Sequence, residues 1–298
     1  MKPKILSLGE VIWDVYPHKS TLGGAPLNFA AHVALCGAES TLISAVGRDS
    51  LGEKALETLG TLGVNRQYVA QNGFATGQCL VTLDEEGIPH YRVLREVSYD
   101  HILLEDEQLE EIAAQDYDAL YFGTLIQRSE DSRAALRRLL KRCAFSHVLC
   151  DVNLRPDCYD RESVELCLRS ATVLKVSLEE EPLMRALVGY EPLAEDPLSI
   201  ARAICKAYAN IEVLLLTMGE EGALAYIPRE EECYRQVAAE VEVVSTVGAG
   251  DSFAAAWLTA YLWGEPMEIC LCRAARLSGY VVSRTEAVPK DLPRSIFE

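Results

Sequence analysis

A chain of 298 residues, 49% of them hydrophobic, can bury the core of one large α/β domain or of two small ones. Its net charge of −17 argues against a nucleic-acid backbone or an anionic membrane as a partner, although a local site can still bind a small anion. No apolar run reaches the roughly 18 residues of a membrane span. Ten dispersed cysteines without a C-x-x-C pair indicate reduced thiols, and no signal peptide is visible, so we expect a cytoplasmic protein.

Strands and helices alternate along most of the chain, which predicts a mostly parallel sheet with helices on both faces. No repeat or low-complexity linker interrupts this order, so we expect one α/β domain over residues 1–298. Ser129 is an expected helix cap. The predicted strands are residues 5–12, 41–46, 119–122, 148–152, 173–176 and 213–217, and the predicted helices are residues 26–36, 51–62, 107–114, 129–143, 162–170, 179–187, 197–208 and 253–263.

Two β-rich segments, residues 76–83 and 89–94, interrupt the alternation. The sequence D-E-E-G-I-P joins them as a hairpin-like connection. An antiparallel insertion in an α/β chain is often a lid or a dimer edge. We therefore expect a small β lid built from about residues 14–22 and 76–100, with a possible homodimer through it. Tyr91 and Arg95 are candidate ligand contacts on this lid.

Polar residues recur where the predicted strands end. Because the carboxyl ends of parallel strands share one edge of a sheet, these residues outline a cleft at that edge, the usual ligand position in such folds. Asp14 follows the first strand, and three further motifs follow later strands. They supply Asp151, Asn153 and Arg155 from D-V-N-L-R, Lys175, Ser177 and Glu180 from K-V-S-L-E-E, and Thr217, Gly219 and Gly222 from T-M-G-E-E-G.

The segment V-S-T-V-G-A-G-D-S-F combines a glycine turn with the start of an apolar run. Val243 and Val244 before the turn suit a strand end, so the segment predicts a strand, a turn and a helix N-terminus. The unpaired amides there form an anion site, and small residues let a phosphate approach closely. Asp251 would repel that anion but could take a proton from a hydroxyl held beside it. A glycine turn with an aspartate N-cap is an equally open interpretation of this segment.

Taken in order, these motifs resemble the ribokinase-like (PfkB) family of carbohydrate kinases, from residue 9 to about residue 293. V-G-A-G-D-S-F matches the family's C-terminal signature, and G-G-A-P-L-N with G-R-D-S-L-G matches its N-terminal one. D-V-N-L-R-P, K-V-S-x-E-E and F-G-T-L-x-Q-R-S are most similar to bacterial fructokinase-type members. The resemblance implies the ribokinase-like fold and the use of ATP and Mg²⁺. It also implies that a phosphoryl group is transferred to a sugar hydroxyl. The sugar that fits best is fructose, and the product would be fructose 6-phosphate.

The resemblance also implies roles for individual residues. Asp251 would be the general base, beside an anion hole formed by the amides of Gly248, Ala249 and Gly250. Glu180 would organise Mg²⁺ through water, with Ser177 in place of the usual asparagine. The sugar would contact Asp14, Gly24, Asn28, Asn153 and Arg155. The nucleotide site would include Thr217, Gly219 and Gly222, and we add Lys175 and Ser177 from the strand-end motif.

Three residues depart from the family pattern. Ser245 stands where many members have aspartate, and Glu286 stands where a late glycine is usual. These two changes predict activity that does not depend on a monovalent cation. Ala275 stands where an asparagine often lies near the adenine, which leaves the base selectivity open.

Other functions fit parts of the sequence. A sugar acid such as 2-dehydro-3-deoxygluconate could be the substrate, because Arg95 or Arg155 could bind its carboxylate. A nucleoside kinase fits D-V-N-L-R less well, and a sensor that has lost catalysis fits poorly with the retained Asp251. A nicotinamide-dependent enzyme is disfavoured because no G-x-G-x-x-G opens a βαβ unit.

Overall fold

The computed structural model describes residues 2–83, 89–293 and 296. Within them, the strands are β1 (Lys4–Leu8), β2 (Ile12–Val15), β3 (Ser20–Gly23), β4 (Glu39–Gly47), β5 (Asn65–Asn72), β6 (Gly77–Leu83), β7 (Pro89–Val93), β8 (Ala119–Gly123), β9 (His147–Asp151), β10 (Val173–Ser177), β11 (Val213–Thr217), β12 (Ala223–Ile227) and β13 (Glu232–Gln236). The helices are α1 (Ala25–Leu35), α2 (Ser50–Thr61), α3 (Asp106–Ala113), α4 (Glu130–Arg142), α5 (Arg161–Ser170), α6 (Glu181–Val188), α7 (Pro197–Ala207), α8 (Ala249–Leu262) and α9 (Met267–Val282).

Nine strands form the central sheet, in the order β13-β12-β11-β10-β9-β8-β1-β4-β5. Every neighbouring pair from β11 to β5 is parallel, whereas β12 and β13 add two antiparallel strands at one edge. Parallel strands buried on both faces are continuously apolar, as in V-L-L-L of β11. The strand ends that carry the predicted polar motifs therefore lie along one edge of the sheet.

The described residues form three hydrophobic clusters, and the two largest pack on opposite faces of the sheet. The neighbouring residues Ile5 and Leu6 of β1 point to opposite faces, because side chains alternate along a strand. Ile5 packs with residues of α1, α8 and α9, including the fully buried Trp257. Leu6 packs with residues of α3 to α7. The predicted α/β architecture, a mostly parallel sheet with helices on both faces, is confirmed.

A second sheet has four strands in the order β3-β2-β6-β7. Strand β2 is antiparallel to β3 and parallel to β6, and β6 is antiparallel to β7. Strands β6 and β7 lie within the second segment of the predicted β lid, about residues 76–100, and β2 and β3 overlap the first, about residues 14–22. The connection between β6 and β7, residues 84–88, lies outside the described residues. The function of this sheet as a lid, and the division of the chain into one domain and a lid, stay predictions.

The segment before the glycine turn is a loop, so the strand predicted at Val243 and Val244 is wrong. Their side chains are 63% and 53% exposed. A strand needs a neighbouring strand to pair with, and the central sheet already ends at β13. The amides of Val244 and Ser245 instead donate to the carbonyl of Val282 in α9, at 2.8 and 3.1 Å. Helix α8 begins directly after the turn at Ala249, four residues before the predicted start.

Smaller differences concern element ends and edge strands. Strand β1 ends at Leu8, not at residue 12, because the chain turns there and continues as β2 in the second sheet. Strands β5, β12 and β13 and helix α9 were not among the predicted elements. Ser129 precedes α4 as expected, but its hydroxyl donates to the carbonyl of Asp100 instead of capping the helix. Among the described residues, no helix has both the length and the apolar character to span a bilayer.

Candidate active site

The glycine turn leads directly into α8, and Gly248 is its N-cap residue. Gly248 has a φ of +82°, a left-handed conformation that side chains disfavour. A Cβ atom placed on Gly248 would also lie 2.8 Å from the Cβ of Ala287. Both observations require glycine at this position. The amides of Ala249 and Gly250 lie in the first turn of a 14-residue helix, where the helix dipole is positive.

Asp251 is buried in the first turn of α8, and its carboxylate accepts a hydrogen bond from Asn28 in α1. The distance between Asn28 Nδ2 and Asp251 Oδ2 is 2.8 Å. Burial raises the pKa of Asp251 to about 6, although the bond from Asn28 opposes that rise. The group is therefore ionised near pH 7 and is more basic than an ordinary aspartate, as a general base should be.

A buried ion pair lies beside the turn, between Lys175 in the middle of β10 and Asp151 at the end of β9. The ammonium nitrogen lies 2.9 and 2.8 Å from the two carboxylate oxygens. Burial lowers the pKa of Lys175, but the attraction of Asp151 outweighs it and raises that pKa overall. The lysine is thus held charged. A Cβ atom placed on Gly250 would lie 3.1 Å from Lys175 Nζ, so a fixed positive charge adjoins the anion turn.

Two polar side chains, Asp14 of β2 and Asn28 of α1, face one small space beside Gly23. A Cβ atom placed on Gly23 would lie 3.6 Å from Asp14 Oδ2 and 3.9 Å from Asn28 Oδ1. The Asn28 oxygen is buried and has no hydrogen-bond partner among the described residues. Gly24 has a φ of +112°, and a Cβ atom there would collide with the carbonyl of Glu10. Two acceptors therefore face a space from which side chains are excluded, which suits a ligand hydroxyl.

Glu10 was not selected from the sequence, although it lies between β1 and β2 at the same edge of the sheet. Its Oε1 accepts the amide of Ala25 at 3.1 Å, which fixes the start of α1. Burial raises the pKa of Glu10 to about 7, and the nearby charge of Asp251 adds to that rise. Glu10 and Asn153 line the same small cavity. A carboxylate just after the first strand was the only sequence signal for this residue.

Asn153 and Arg155 lie in the loop after β9, as the motif predicted. Asn153 has a φ of +40°, which asparagine tolerates better than most residues. Arg155 is exposed, and its positive charge opposes the burial-driven rise in the pKa of two nearby carboxyls, Asp14 and Asp251. The guanidinium is therefore close enough to Asp14 and Asp251 for its charge to act on both carboxyls.

The two remaining predicted ligand contacts are Tyr91 of β7 and Arg95, which follows that strand. The side chain of Tyr91 is 55% exposed and interacts with the hydroxyl of Tyr16. The guanidinium of Arg95 donates to the carbonyl of Asp157, in the same loop as Arg155. Arg95 therefore joins the second sheet to that loop. The contact of either residue with a ligand stays a prediction.

The polar residues at the ends of β10 and β11 lie on neighbouring parallel strands, at the same edge of the sheet. Glu180 Oε2 accepts the hydroxyl and amide of Ser177 at 2.8 and 3.0 Å, and Oε1 accepts the amide of Leu154 at 2.7 Å. A Cβ atom on Gly219 would have nothing within 4 Å, so the backbone there is open to a ligand. A Cβ atom placed on Gly222 would collide with the carbonyl of Gln236, so packing requires glycine at this position.

The model of the "pfkB family carbohydrate kinase" matches residues 4–294. The chain belongs to this family. It is therefore an ATP-dependent carbohydrate kinase, as the motifs predicted, and a nicotinamide-dependent enzyme is excluded.

Relatives of this kinase include fructokinases. A fructokinase of Escherichia coli is 32% identical over 275 residues, which cover 87% of this chain and 84% of that protein. The structure of a Vibrio cholerae O395 fructokinase with fructose, ADP and calcium ion bound has a TM-score of 0.81 at 21% identity, over 99% of this chain and 97% of that chain. A putative ribokinase II of E. coli in complex with ATP and Mg²⁺ has a TM-score of 0.79 at 19% identity, over 96% and 94%. The two structures share the fold of this kinase.

Proposed function

We propose that this kinase transfers the γ-phosphoryl group of ATP to fructose and forms fructose 6-phosphate. The observation that carries the proposal is the carboxylate of Asp251, held by Asn28 next to the glycine turn of α8. The fructokinase-type motifs in the loops after β9 and β10, and the 32% identity to the E. coli fructokinase, support fructose as the sugar.

In the proposed reaction, the sugar is held by Asp14, Gly24, Asn28, Asn153 and Arg155. Two further residues, Tyr91 of the second sheet and Arg95 just after it, approach the sugar. Asp251 accepts the proton of the sugar hydroxyl as its oxygen attacks the γ-phosphorus. The bond from that phosphorus to the bridging oxygen of ADP breaks, and ADP leaves with the electron pair. The proton on Asp251 is later released to water. The amides of Gly248, Ala249 and Gly250 stabilise the charge on the transferring phosphoryl group.

The nucleotide would lie along the ends of β10 and β11, against Ser177, Thr217, Gly219 and Gly222, with Lys175 next to the turn. The open backbone at Gly219 and the buried charge of Lys175 suit a polyphosphate. Both oxygens of Glu180 already accept protein hydrogen bonds, which fits a carboxylate that organises Mg²⁺ through water. When bound, Mg²⁺ would neutralise part of the negative charge of the phosphates. The second sheet would close over the sugar as a lid, and a homodimer through it is the proposed assembly.

The substrate proposal predicts that fructose has the highest kcat/KM of the sugars tested. The test is an ATP-consumption screen across hexoses, pentoses, sugar acids and nucleosides at equal concentration. The main alternative is 2-dehydro-3-deoxygluconate, because the exposed Arg155 could bind its carboxylate. A higher kcat/KM for that sugar acid would contradict the substrate assignment and leave the family intact. If no compound in the screen supported ATP consumption, the protein would be better explained as a sugar sensor that has lost catalysis.

We also predict that activity is nearly indifferent to K⁺. Ser245 has a neutral hydroxyl, whose oxygen accepts the amide of Val247 at 3.3 Å, and a neutral group gives a cation no Coulomb attraction. Glu286 is exposed, so its carboxylate is a weak substitute. The test compares kcat/KM in potassium chloride and tetramethylammonium chloride at equal ionic strength and fixed Mg²⁺. A gain above about tenfold with K⁺, worth roughly 1.4 kcal/mol of barrier, would contradict the prediction.

A further inference from the structure

Helix α1 contacts the region of the anion turn at two points, four residues apart. Asn28 donates to Asp251, and the imidazole Nε2 of His32 lies 2.8 Å from the carbonyl oxygen of Ala287. Residues four apart share one face of a helix, so both side chains point the same way from α1. Asn28 and His32 are both buried. The helix that holds the proposed base therefore also holds the loop after α9.

Ala287 in turn packs against the glycine turn. A Cβ atom on Gly248 would lie 2.8 Å from the Cβ of Ala287 and 2.9 Å from its Cα and its carbonyl oxygen. The backbone of Ala287 thus lies directly against Gly248, which carries the left-handed bend before α8. A shift of Ala287 would free the turn to change its path. His32 therefore binds the carbonyl of Ala287, the same residue that packs against Gly248.

The hydrogen bond fixes the chemical state of His32. A carbonyl oxygen only accepts, so Nε2 carries a proton, and in the neutral ring Nδ1 is then the unprotonated nitrogen. Nδ1 is buried and has no hydrogen-bond partner in the described part of the chain. Burial lowers the pKa of His32 to about 4, so the ring is neutral at physiological pH. His32 acts as a neutral donor to one carbonyl.

We propose that His32 is a positioning residue for phosphoryl transfer. Its Nε2–H holds Ala287 against Gly248 and so keeps the amides at the start of α8 aligned on the transferring phosphate. The inference rests on the assignment of this turn under Proposed function. It predicts that losing the Nε2–H bond lowers kcat and leaves sugar binding in place, because Asp14, Gly24 and Asn28 do not depend on Ala287.

The experiment compares three variants of the full-length kinase. His32→Gln can place an amide N–H near the Nε2 position, whereas His32→Asn is one bond too short and His32→Leu has no donor. With saturating ATP and fructose, or the fastest sugar of the screen, we expect kcat to fall about 10- to 100-fold in His32→Leu and His32→Asn. His32→Gln should stay within about threefold of wild type, and the sugar KM should change less than about twofold in all three.

Ser40→Ala is the matched control, because the Ser40 hydroxyl donates to the α1 carbonyl of Ala30 at 2.7 Å in a buried position away from the turn. It removes a buried hydrogen bond from the same helix and should leave kcat unchanged. Thermal unfolding identifies the folded variants. If His32→Leu does not fold, the comparison of kcat between His32→Gln and His32→Asn tests the role of His32.

Three results would overturn the role of His32. They are a wild-type kcat in His32→Asn, no recovery in His32→Gln, or an equal kcat loss in Ser40→Ala. Asp251→Asn, measured in parallel, separates the two proposals. If it is fully active, the assignment of the turn fails. If Asp251→Asn is inactive while folded His32→Leu and His32→Asn are active, only the role of His32 fails.

Discussion

Replacing Asp251 by asparagine should lower kcat by roughly 10²–10⁴-fold, the usual contribution of a general base. Asparagine keeps the shape of the side chain and can still accept the amide of Asn28, but it does not take a proton from the sugar. Sugar binding should survive, because Asp14 and Gly24 are unchanged. The fold should survive too, since burial raises the pKa of Asp251 and so disfavours its charged form in the folded state. Steady-state kinetics and sugar titration by calorimetry measure both effects.

Asp196→Asn provides the matched control for this variant. Asp196 is the exposed N-cap of α7 and accepts the amides of Leu198 and Ser199. Asparagine caps a helix about as well, so the same chemical change there should leave kcat at the wild-type value. A near-normal kcat in Asp251→Asn would remove Asp251 from the mechanism. An equal loss in both variants would point to a general effect on the protein.

Replacing Gly250 by valine should remove most turnover, by about 10²-fold or more, because reacting groups displaced by about 1 Å already lose that much. The Cβ atom would lie 3.1 Å from Lys175 Nζ and 3.7 Å from Lys175 Cε, and the remaining methyl groups need further space. Lys175 would have to move away from Asp151, and the phosphate would lose its close approach to the turn. The measurement is kcat with saturating fructose and ATP, together with the melting temperature.

The control for this substitution is Gly60→Val, in the last turn of α2. Gly60 is helical like Gly250 but more exposed, and a Cβ atom there meets only Arg66 Nε, at 3.8 Å. Both variants carry the same helix-propensity cost of a β-branched residue. We expect Gly60→Val to keep full activity. A folded Gly250→Val with wild-type turnover would show that the phosphate does not bind at this turn.

Much of the fold followed from local patterns. Continuous apolar runs such as V-L-L-L predicted buried parallel strands, and alternation with helices predicted cover on both faces. The same logic failed at Val243 and Val244. Their β-branched side chains favour a strand, but no neighbouring strand lies there to pair with, and the loop is held by the carbonyl of Val282 instead. Strands β12 and β13 were missed because each has only five residues, and so short a run does not show a clear strand period.

For the site, the sequence by itself determined which residue types lie at the strand ends and that a small, flexible turn begins α8. These features depend on residues within one motif, so their spacing is visible in the chain. Only the tertiary structure decided which groups meet. Asn28 contacts Asp251 across 223 positions, and His32 contacts Ala287 across 255. Burial and charge act through space, so the raised pKa of Glu10 and Asp251 and the neutral state of His32 arise only once those distant segments pack together.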